Sequence, residues 1–245
     1  MSFKRIPMME WGLGEEQAVD RALDILRQEG FLPPHSPGGD HQCDHLRFDA
    51  LRTAVRREFR VPWTSITPPM ERLLYGLNAV LRPQRFVGIG IFCGNTLIWN
   101  IGAAVGPGKC YTAESLVGVE INPESAAIAA SNLERIGALE DVCLLIEDGH
   151  ETLSRIDGPI DLLYLDAQGP LPGTNGPSTK LIYLSLLERA YDKLRPGSLV
   201  LAHDTLPQWF VETAGAYLDF VRDSNHFRAS VSLEPDTEGL EVSVR

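Results

Sequence analysis

Hydrophobic residues recur along this chain first at helical spacing and then in short runs that alternate with helical stretches. In the N-terminal part, apolar positions three and four residues apart predict helices. Three such stretches follow one another: 15–28, 46–59 and 70–81. A Pro- and Gly-rich segment, 31–44, separates the first two and predicts a loop. Residues 1–64 are therefore predicted to form a helical extension ahead of a larger region, 65–245.

The larger region alternates strand and helix patterns. Short apolar runs predict strands over 86–91, 116–120, 142–147, 161–166 and 199–203. Helical patterns lie between and after them, over 95–105, 123–136, 179–194 and 208–223. Two further runs, 228–233 and 240–244, predict a terminal antiparallel hairpin. The predicted fold class is therefore α/β, with a mostly parallel, seven-stranded sheet that helices cover on both faces.

The connection after the first of these strands has the composition of a nucleoside-binding turn. Phe86 to Thr96 reads Phe-Val-Gly-Ile-Gly-Ile-Phe-Cys-Gly-Asn-Thr, and the next strand ends on Glu120. Gly90 and Gly94 allow the backbone to turn sharply and to approach a ligand closely. The amide groups that open the next helix would face that ligand, and Glu120 would accept hydrogen bonds from ribose hydroxyls. This order predicts a nucleoside site at the carboxyl ends of the strands.

These residues resemble the motifs of class I S-adenosylmethionine-dependent methyltransferases, of the catechol and caffeoyl-CoA O-methyltransferase type. Ile91 to Thr96 is similar to the first motif of that family, and Glu120 to Glu124 is similar to its ribose-binding segment. Segments 161–166 and 194–204 resemble the fourth-motif strand and the strand after it. The resemblance covers about residues 65–245. It implies a Rossmann-like methyltransferase fold with S-adenosylmethionine as cofactor and with the N-terminal helices as a lid over the pocket.

The family pattern assigns cofactor contacts to residues around the glycine turn and at the following strand ends. Thr67, in the segment before the first motif, and Asn95 with Thr96 are candidates to bind the methionine carboxylate. Asp148 to His150 lies where the family has its adenine-contacting loop. The implied cofactor-binding residues are Thr67, Gly88, Gly90, Gly94, Asn95, Thr96, Glu120, Ile121, Asp148, Gly149, His150 and Asp166.

Methyl transfer needs an acceptor that is aligned with the sulfonium group and gives up its proton. The resemblance places Asp166 at the first metal ligand of the family, and His203-Asp204 at its paired ligands, usually Asp-Asn. Mg²⁺ would bind the acceptor there, although a histidine ligand favours softer metals. Alternatively, Asp166 contacts only the cofactor, and His203 is a base or a packed polar residue. Lys180 and Tyr183 reproduce the family's Lys-x-x-Tyr spacing, so Lys180 is a candidate base and Tyr183 its catalytic partner.

Two departures from the family bear on the reaction. A Gly- and Pro-rich insertion, 168–179, predicts an active-site loop. At Gly88, the family usually has an acid near the cofactor's ammonium group. Without that acid, the amine could attack its own γ-carbon and expel methylthioadenosine, as azetidine-2-carboxylate synthases do on a similar fold. Such chemistry needs a dry pocket with aromatic faces. The candidate aromatic residues are Trp11, Trp63, Tyr75, Phe92, Trp99 and Tyr183.

Composition narrows the choice of partners. The 245 residues carry a net charge of −11, which disfavours a nucleic acid substrate. No apolar run is long enough for a membrane span, and four widely spaced cysteines fit a reducing cytoplasm, with Cys93 and Cys143 expected to be buried. We therefore predict a cytoplasmic enzyme that methylates a hydroxyl or amine of a small molecule in secondary metabolism, with the cyclase as the alternative. Related O-methyltransferases are often dimers, which leaves a homodimer open.

Overall fold

The computed structural model describes residues 4–35, 41–64 and 66–245. Within these ranges the α-helices are α1 (Glu15–Gln28), α2 (His45–Glu58), α3 (Pro68–Leu81), α4 (Asn95–Ile101), α5 (Pro123–Arg135), α6 (Gly149–Arg155), α7 (Ile182–Ala190) and α8 (Gln208–Arg222). The strands are β1 (Lys4–Ile6), β2 (Arg85–Ile89), β3 (Ser115–Val119), β4 (Cys143–Leu145), β5 (Ile160–Leu165), β6 (Leu194–His203), β7 (Ala229–Leu233) and β8 (Leu240–Val244).

These strands form one sheet in the order β1-β7-β8-β6-β5-β2-β3-β4. β8 runs antiparallel to β6 and β7, and the other neighbouring pairs are parallel. The predicted α/β class and mostly parallel sheet are confirmed. The described sheet has eight strands, and the predicted count of seven was wrong because β1 pairs with Val231–Leu233 of β7. Three residues are too few to show a strand periodicity, so the pattern could not reveal β1.

The sheet separates two hydrophobic cores, because successive side chains of a strand point to opposite faces. In β2, Phe86 belongs to the first core, whereas Val87 and Ile89 belong to the second. Helices α1 to α5 contribute to the first core, and α6 to α8 contribute to the second. Helices therefore cover both faces, as predicted from the alternation of strand and helix patterns.

The N-terminal helices share the first core with the rest of the molecule. Phe48 of α2 packs against Tyr75 of α3 and Trp99 of α4, with ring centroids 5.3 and 5.9 Å apart. These three side chains are fully buried, so Tyr75 and Trp99 belong to the core and not to a pocket wall. The division of the chain into 1–64 and 65–245 stays a prediction. In the described part of the chain, no helix has both the length and the apolar character of a membrane span.

The order of the strands changes direction between β2 and β5. From β2 the chain moves outward to β3 and β4, and it then returns to place β5 on the other side of β2. In open parallel sheets, ligands bind beyond the carboxyl ends of the strands at such a switch point. Gly90, Glu120, Asp166 and Asp204 directly follow β2, β3, β5 and β6. The fold therefore brings these four predicted site residues to one edge of the sheet.

Candidate active site

A cavity of about 970 Å³ lies at this edge. That volume is at the upper end of the roughly 300–1,000 Å³ of ligand pockets, which leaves room for two ligands side by side. The predicted site residues that line it are Gly90, Asn95, Thr96, Glu120, Ile121, Asp148, Gly149, His150, Asp166, Lys180 and Asp204. Because the strand order is β6-β5-β2-β3-β4, Asp166 and Asp204 lie to one side of the glycine turn and Glu120 lies to the other.

Gly90 forms the turn at which β2 meets the cavity. Its φ of +83° lies in the left-handed region, which favours glycine. A Cβ at this position would lie 2.5 Å from Cα of Ala167 and 2.6 Å from its backbone nitrogen. The turn therefore requires a residue without a side chain. Its close approach holds the end of β2 against the backbone that directly follows Asp166.

Glu120 holds the rest of the glycine turn in place. Its Oε2 accepts a hydrogen bond from the Phe92 backbone nitrogen at 2.8 Å, and its Oε1 accepts one from that of Asn122 at 2.9 Å. Phe92 has a φ of +50°, which is uncommon for an aromatic residue, and its ring packs on Trp63 with centroids 5.1 Å apart. The Glu120 carboxylate thus faces the cavity and also stabilises a strained residue of the turn.

Asp148 and His150 form the wall beyond β4. The Asp148 side chain caps α6, since its Oδ1 accepts from the His150 backbone nitrogen at 2.7 Å. The same oxygen lies 3.0 Å from Nδ1 of His150, and Nε2 of that ring lies 2.8 Å from Oγ of Ser185 on α7. The His150 ring is therefore held at both nitrogens on the cavity wall.

On the side of β5 and β6, an ammonium group lies between two carboxylates. Nζ of Lys180 donates to Oδ1 of Asp166 at 2.6 Å and lies 2.7 Å from Oδ2 of Asp204. It also donates to the Tyr183 hydroxyl at 2.8 Å, and that hydroxyl donates to the His203 carbonyl at 3.2 Å. Nδ1 of His203 lies 2.9 Å from Oδ1 of Asp204, without the alignment of a hydrogen bond. The predicted catalytic and metal-binding residues thus form one cluster.

Burial and opposite charge act against each other in this cluster. Burial would raise the pKa of Asp166, but the Lys180 ammonium and His203 outweigh it and lower that pKa. Burial would lower the pKa of Lys180, but Asp166 and the other acidic neighbours raise it well above its usual value. For His203, Asp166 and Asp204 overcome the effect of burial and raise the pKa to about 10. Lys180 therefore remains protonated, which argues against its predicted role as the base.

The cluster contains the three residues that were predicted to bind a metal, Asp166, His203 and Asp204. The ligand atoms of Asp166, His203 and Asp204 lie within 4.8 Å of one another, which a metal ion could bridge. However, the Lys180 ammonium already lies between the two carboxylates. Unit charges 4 Å apart interact by about 4 kcal/mol at an effective dielectric of about 20, so the ammonium would offset about half of the attraction that two carboxylates exert on a divalent ion. The ammonium also lies between the carboxylates that such an ion would have to bridge, so the residues do not fit a divalent metal while Lys180 is in place.

Two residues with predicted cofactor contacts lie outside the cavity lining. Thr67 caps α3, and its hydroxyl donates to the Asp236 carboxylate on the turn between β7 and β8. Gly88 lies inside β2, where an added Cβ would be 3.0 Å from the Phe86 ring. The Phe86 ring therefore fills the space beside Gly88. The positions of Thr67 and Gly88 therefore do not support the predicted contacts.

Three further predicted residues lie behind the lining. Gly94 opens α4 with a φ of +83°, and an added Cβ would be 3.2 Å from Cβ of Ala129 on α5. Tyr183 and His203 are fully buried beneath the carboxylates of the cluster. Gly94 shapes the turn through close helix packing, whereas Tyr183 and His203 would act on a ligand only through Lys180 and Asp204.

Some cavity residues were not indicated by the sequence motifs. Ile66 comes from the stretch after α2, and Glu238 comes from the turn between β7 and β8. Among the described residues of the N-terminal extension, this stretch, and neither α1 nor α2, reaches the lining. The 67%-exposed Trp63 of the same stretch, one of the candidate aromatic residues, also lines the cavity. The insertion 168–179 does border the cavity, as predicted, through 168–174 and Ser178.

Asn132 of α5 links the stretch after α2 to the glycine turn. Its buried amide donates to the carbonyls of Arg60 and Cys93 at 3.0 and 2.9 Å, and its Oδ1 accepts from the Arg60 backbone nitrogen at 2.8 Å.

We expect Asn132→Ala to lower the free energy of unfolding by about 2–4 kcal/mol, because three backbone groups lose their partners. Urea denaturation measures this. The exposed Asn225→Ala control should stay within about 0.5–1 kcal/mol of the wild type, and equal losses would contradict the argument.

Comparison with known proteins agrees with this geometry. The profile of a family described as a methyltransferase domain matches residues 87–205. The catechol O-methyltransferase of Niastella koreensis is 24% identical over 164 residues, which span 64% of this chain and 66% of that protein. The catechol O-methyltransferase of Mycobacterium tuberculosis is 27% identical over 119 residues, which span 48% of this chain and 51% of that protein. The match thus spans just under two thirds of the length of the Niastella koreensis protein and about half of that of the Mycobacterium tuberculosis protein.

A solved structure extends the likeness to nearly the whole fold. The O-methyltransferase TomG from Streptomyces achromogenes, solved in complex with S-adenosylmethionine, superposes with a TM-score of 0.60 at 18% identity. The superposition covers 95% of this chain and 98% of TomG. At this identity the structural likeness bears on the fold alone. The predicted resemblance is confirmed: residues 87–205 match a methyltransferase-domain family, and the chain is similar to two catechol O-methyltransferases.

Proposed function

We propose that the protein transfers the methyl group of S-adenosylmethionine to a hydroxyl group of a small molecule. The observation that carries this proposal is a single cavity in which a nucleoside-binding edge adjoins a carboxylate cluster. Glu120 and Asp148 lie on the β3–β4 side, and Asp166 and Asp204 lie on the β5–β6 side. The first pair suits a ribose and an adenine, and the second pair suits an acceptor hydroxyl.

Each carboxylate oxygen of Glu120 keeps a free lone pair after accepting its backbone hydrogen bond. Both oxygens can therefore accept a hydrogen bond from a ribose hydroxyl while the turn stays in place. The cofactor would then extend along the sheet edge past Gly90 toward Thr96, whose hydroxyl lies 3.4 Å from Oδ2 of Asp166. This path places the sulfonium group near the cluster, where its charge is favoured by the carboxylates.

The acceptor hydroxyl would donate a hydrogen bond to a cavity-facing oxygen of Asp166 or Asp204. As the new C–O bond forms, the C–S bond breaks, and its electron pair stays on sulfur. The hydroxyl proton passes to the carboxylate and then to water, which leaves the methyl ether and S-adenosylhomocysteine. Asp204 has a φ of +60°, so the backbone holds it in a conformation that costs about 1–3 kcal/mol, as is common for functional residues.

A product assay tests the proposal. The purified protein is incubated with S-adenosylmethionine and with phenols, catechols or aliphatic alcohols, and the products are identified by mass spectrometry. S-adenosylhomocysteine formed together with a methylated acceptor would support methyl transfer. Methylthioadenosine formed from the cofactor alone would overturn it in favour of the cyclase. The described structure does not favour that alternative, because only two of the six candidate aromatic residues, Trp63 and Phe92, line the cavity.

The net charge of −11 also supports a small acceptor over a nucleic acid, whose phosphates this chain would repel. A role in secondary metabolism, a cytoplasmic location and a homodimer stay predictions.

Glu120→Gln should raise the dissociation constant of S-adenosylhomocysteine about 10- to 100-fold. Glutamine keeps one acceptor oxygen, and its amide nitrogen would meet either the Phe92 or the Asn122 backbone N–H, so one donor loses its partner. Isothermal titration calorimetry measures the change. Glu134→Gln is the matched control, since it removes the same charge from an exposed position on α5 that does not line the cavity. Equal affinities of the two variants would argue against a ribose contact by Glu120.

A further inference from the structure

The Lys180 side chain is enclosed by oxygen atoms. Asp166, Asp204 and Tyr183 each place one oxygen within 2.8 Å of Nζ, and the side chain is only 1% exposed. An ammonium group has three N–H donors, so these oxygens can engage all of them. The group is therefore held by three contacts at the point where the two carboxylates converge.

The backbone fixes Lys180 at this point. The insertion that precedes it closes on itself through two hydrogen bonds, from the Gly169 nitrogen to the Thr179 carbonyl at 3.1 Å and from the Thr179 nitrogen to the Gly169 carbonyl at 3.0 Å. Lys180 follows directly, and its carbonyl accepts from the Tyr183 backbone nitrogen at 3.0 Å. Lys180 therefore directly follows the hydrogen-bonded pair that closes the base of the insertion.

The same carboxylates are the ones that a metal would need. A divalent ion shared by Asp166, His203 and Asp204 would have to lie among ligand atoms that are within 4.8 Å of one another. Lys180 contacts one oxygen of each of the two aspartates in that space. His203 adds a second nitrogen group 2.9 Å from Asp204 and 3.5 Å from Asp166. The two acidic charges are thus already matched by groups of the chain itself.

We propose that the Lys180 ammonium takes the place of a divalent metal in this site, so that the protein functions without one. The ammonium bridges Asp166 Oδ1 and Asp204 Oδ2 and leaves Asp166 Oδ2 beside the cavity-lining Thr96. The proposal concerns the cation at the site, and it can be tested without any acceptor or turnover.

Titration of the whole 245-residue chain with Mn²⁺, followed by electron paramagnetic resonance, tests the proposal. The wild type should bind no Mn²⁺ in the cavity up to about 1 mM, which is the weak end of protein cation sites. Lys180→Ala should bind one Mn²⁺ per chain at least about tenfold more tightly, because two carboxylates and an imidazole then lack their cation. The exposed Lys109→Ala should behave like the wild type. Asp20→Asn is titrated in parallel to identify ions held by the exposed Glu16 and Asp20 together with the half-buried His45.

Two outcomes would overturn the proposal. One is a wild type that binds one Mn²⁺ tightly in the cavity, with the signal unchanged by Asp20→Asn. The other is a folded Lys180→Ala that binds no more Mn²⁺ than Lys109→Ala. If Lys180→Ala does not fold, the wild type alone tests the proposal. Neither EDTA nor Mn²⁺ should change its melting temperature or its affinity for S-adenosylhomocysteine, and a change in either quantity would contradict the proposal. Because no acceptor is present, failure of the methyl transfer proposal would leave this result intact.

Discussion

Asp166→Asn is expected to reduce kcat/KM for methyl transfer at least about 100-fold, within the range that removal of a general base produces. Asp166 follows β5, next to the turn that Gly90 forms, and it lines the cavity. An amide in its place can no longer take the acceptor proton. It also leaves Lys180 with only Asp204 as a charged partner at hydrogen-bonding distance. The chemical step therefore loses both its proton acceptor and the alignment of the cluster.

The loss should come from chemistry and not from unfolding. Lys180 keeps Asp204 and Tyr183, so the free energy of unfolding should fall by less than the about 3–5 kcal/mol that follows when a buried pair is broken. Asp219→Asn on the exposed side of α8 removes the same charge and should keep the wild-type rate. Steady-state kinetics and urea denaturation of the three proteins separate the two effects. A wild-type rate in a folded Asp166→Asn would contradict a catalytic role for this carboxylate.

Most of the fold could be predicted because its elements have strong periodic patterns. The helix over 15–28 and the strand over 240–244 have the predicted limits. The helix α6, with only seven residues, was missed, since it is shorter than two full helical turns. The expected burial of Cys143 was wrong, because β4 is the edge strand and leaves this side chain exposed. Local apolar composition does not distinguish an edge strand from a central one.

The candidate site was predictable where residues directly follow parallel strands. The topology alone brings Glu120, Asp166 and Asp204 to one edge, so their strand-end positions sufficed. The position of Lys180 could not be predicted in the same way, because it depends on how the insertion closes between Gly169 and Thr179. That closure is a tertiary contact that no local pattern encodes. The sequence therefore indicated the acids of the cluster through their strand-end positions, whereas it indicated Lys180 only through the Lys-x-x-Tyr spacing and not as the cation between them.

Gly90→Ala is expected to lower the free energy of unfolding by at least about 3 kcal/mol and to weaken S-adenosylhomocysteine binding at least about 100-fold. A left-handed conformation costs an alanine roughly 1–2 kcal/mol, and overpacking against a fixed backbone adds about 1–3 kcal/mol. The overpacking arises because the new Cβ would lie 2.5 Å from Cα of Ala167. Relief of that contact must separate the ends of β2 and β5, which moves Glu120 and Asp166 away from a shared ligand.

Gly137→Ala separates the two causes of this loss. Gly137 has a φ of +68°, but an added Cβ there would meet no atom within 4 Å. It therefore carries the backbone cost alone, and we expect a loss of only about 1–2 kcal/mol with unchanged binding. Urea denaturation and calorimetry of the two variants measure stability and affinity independently. If both variants lose the same stability and bind equally well, the close approach of Gly90 to Ala167 does not hold the site together.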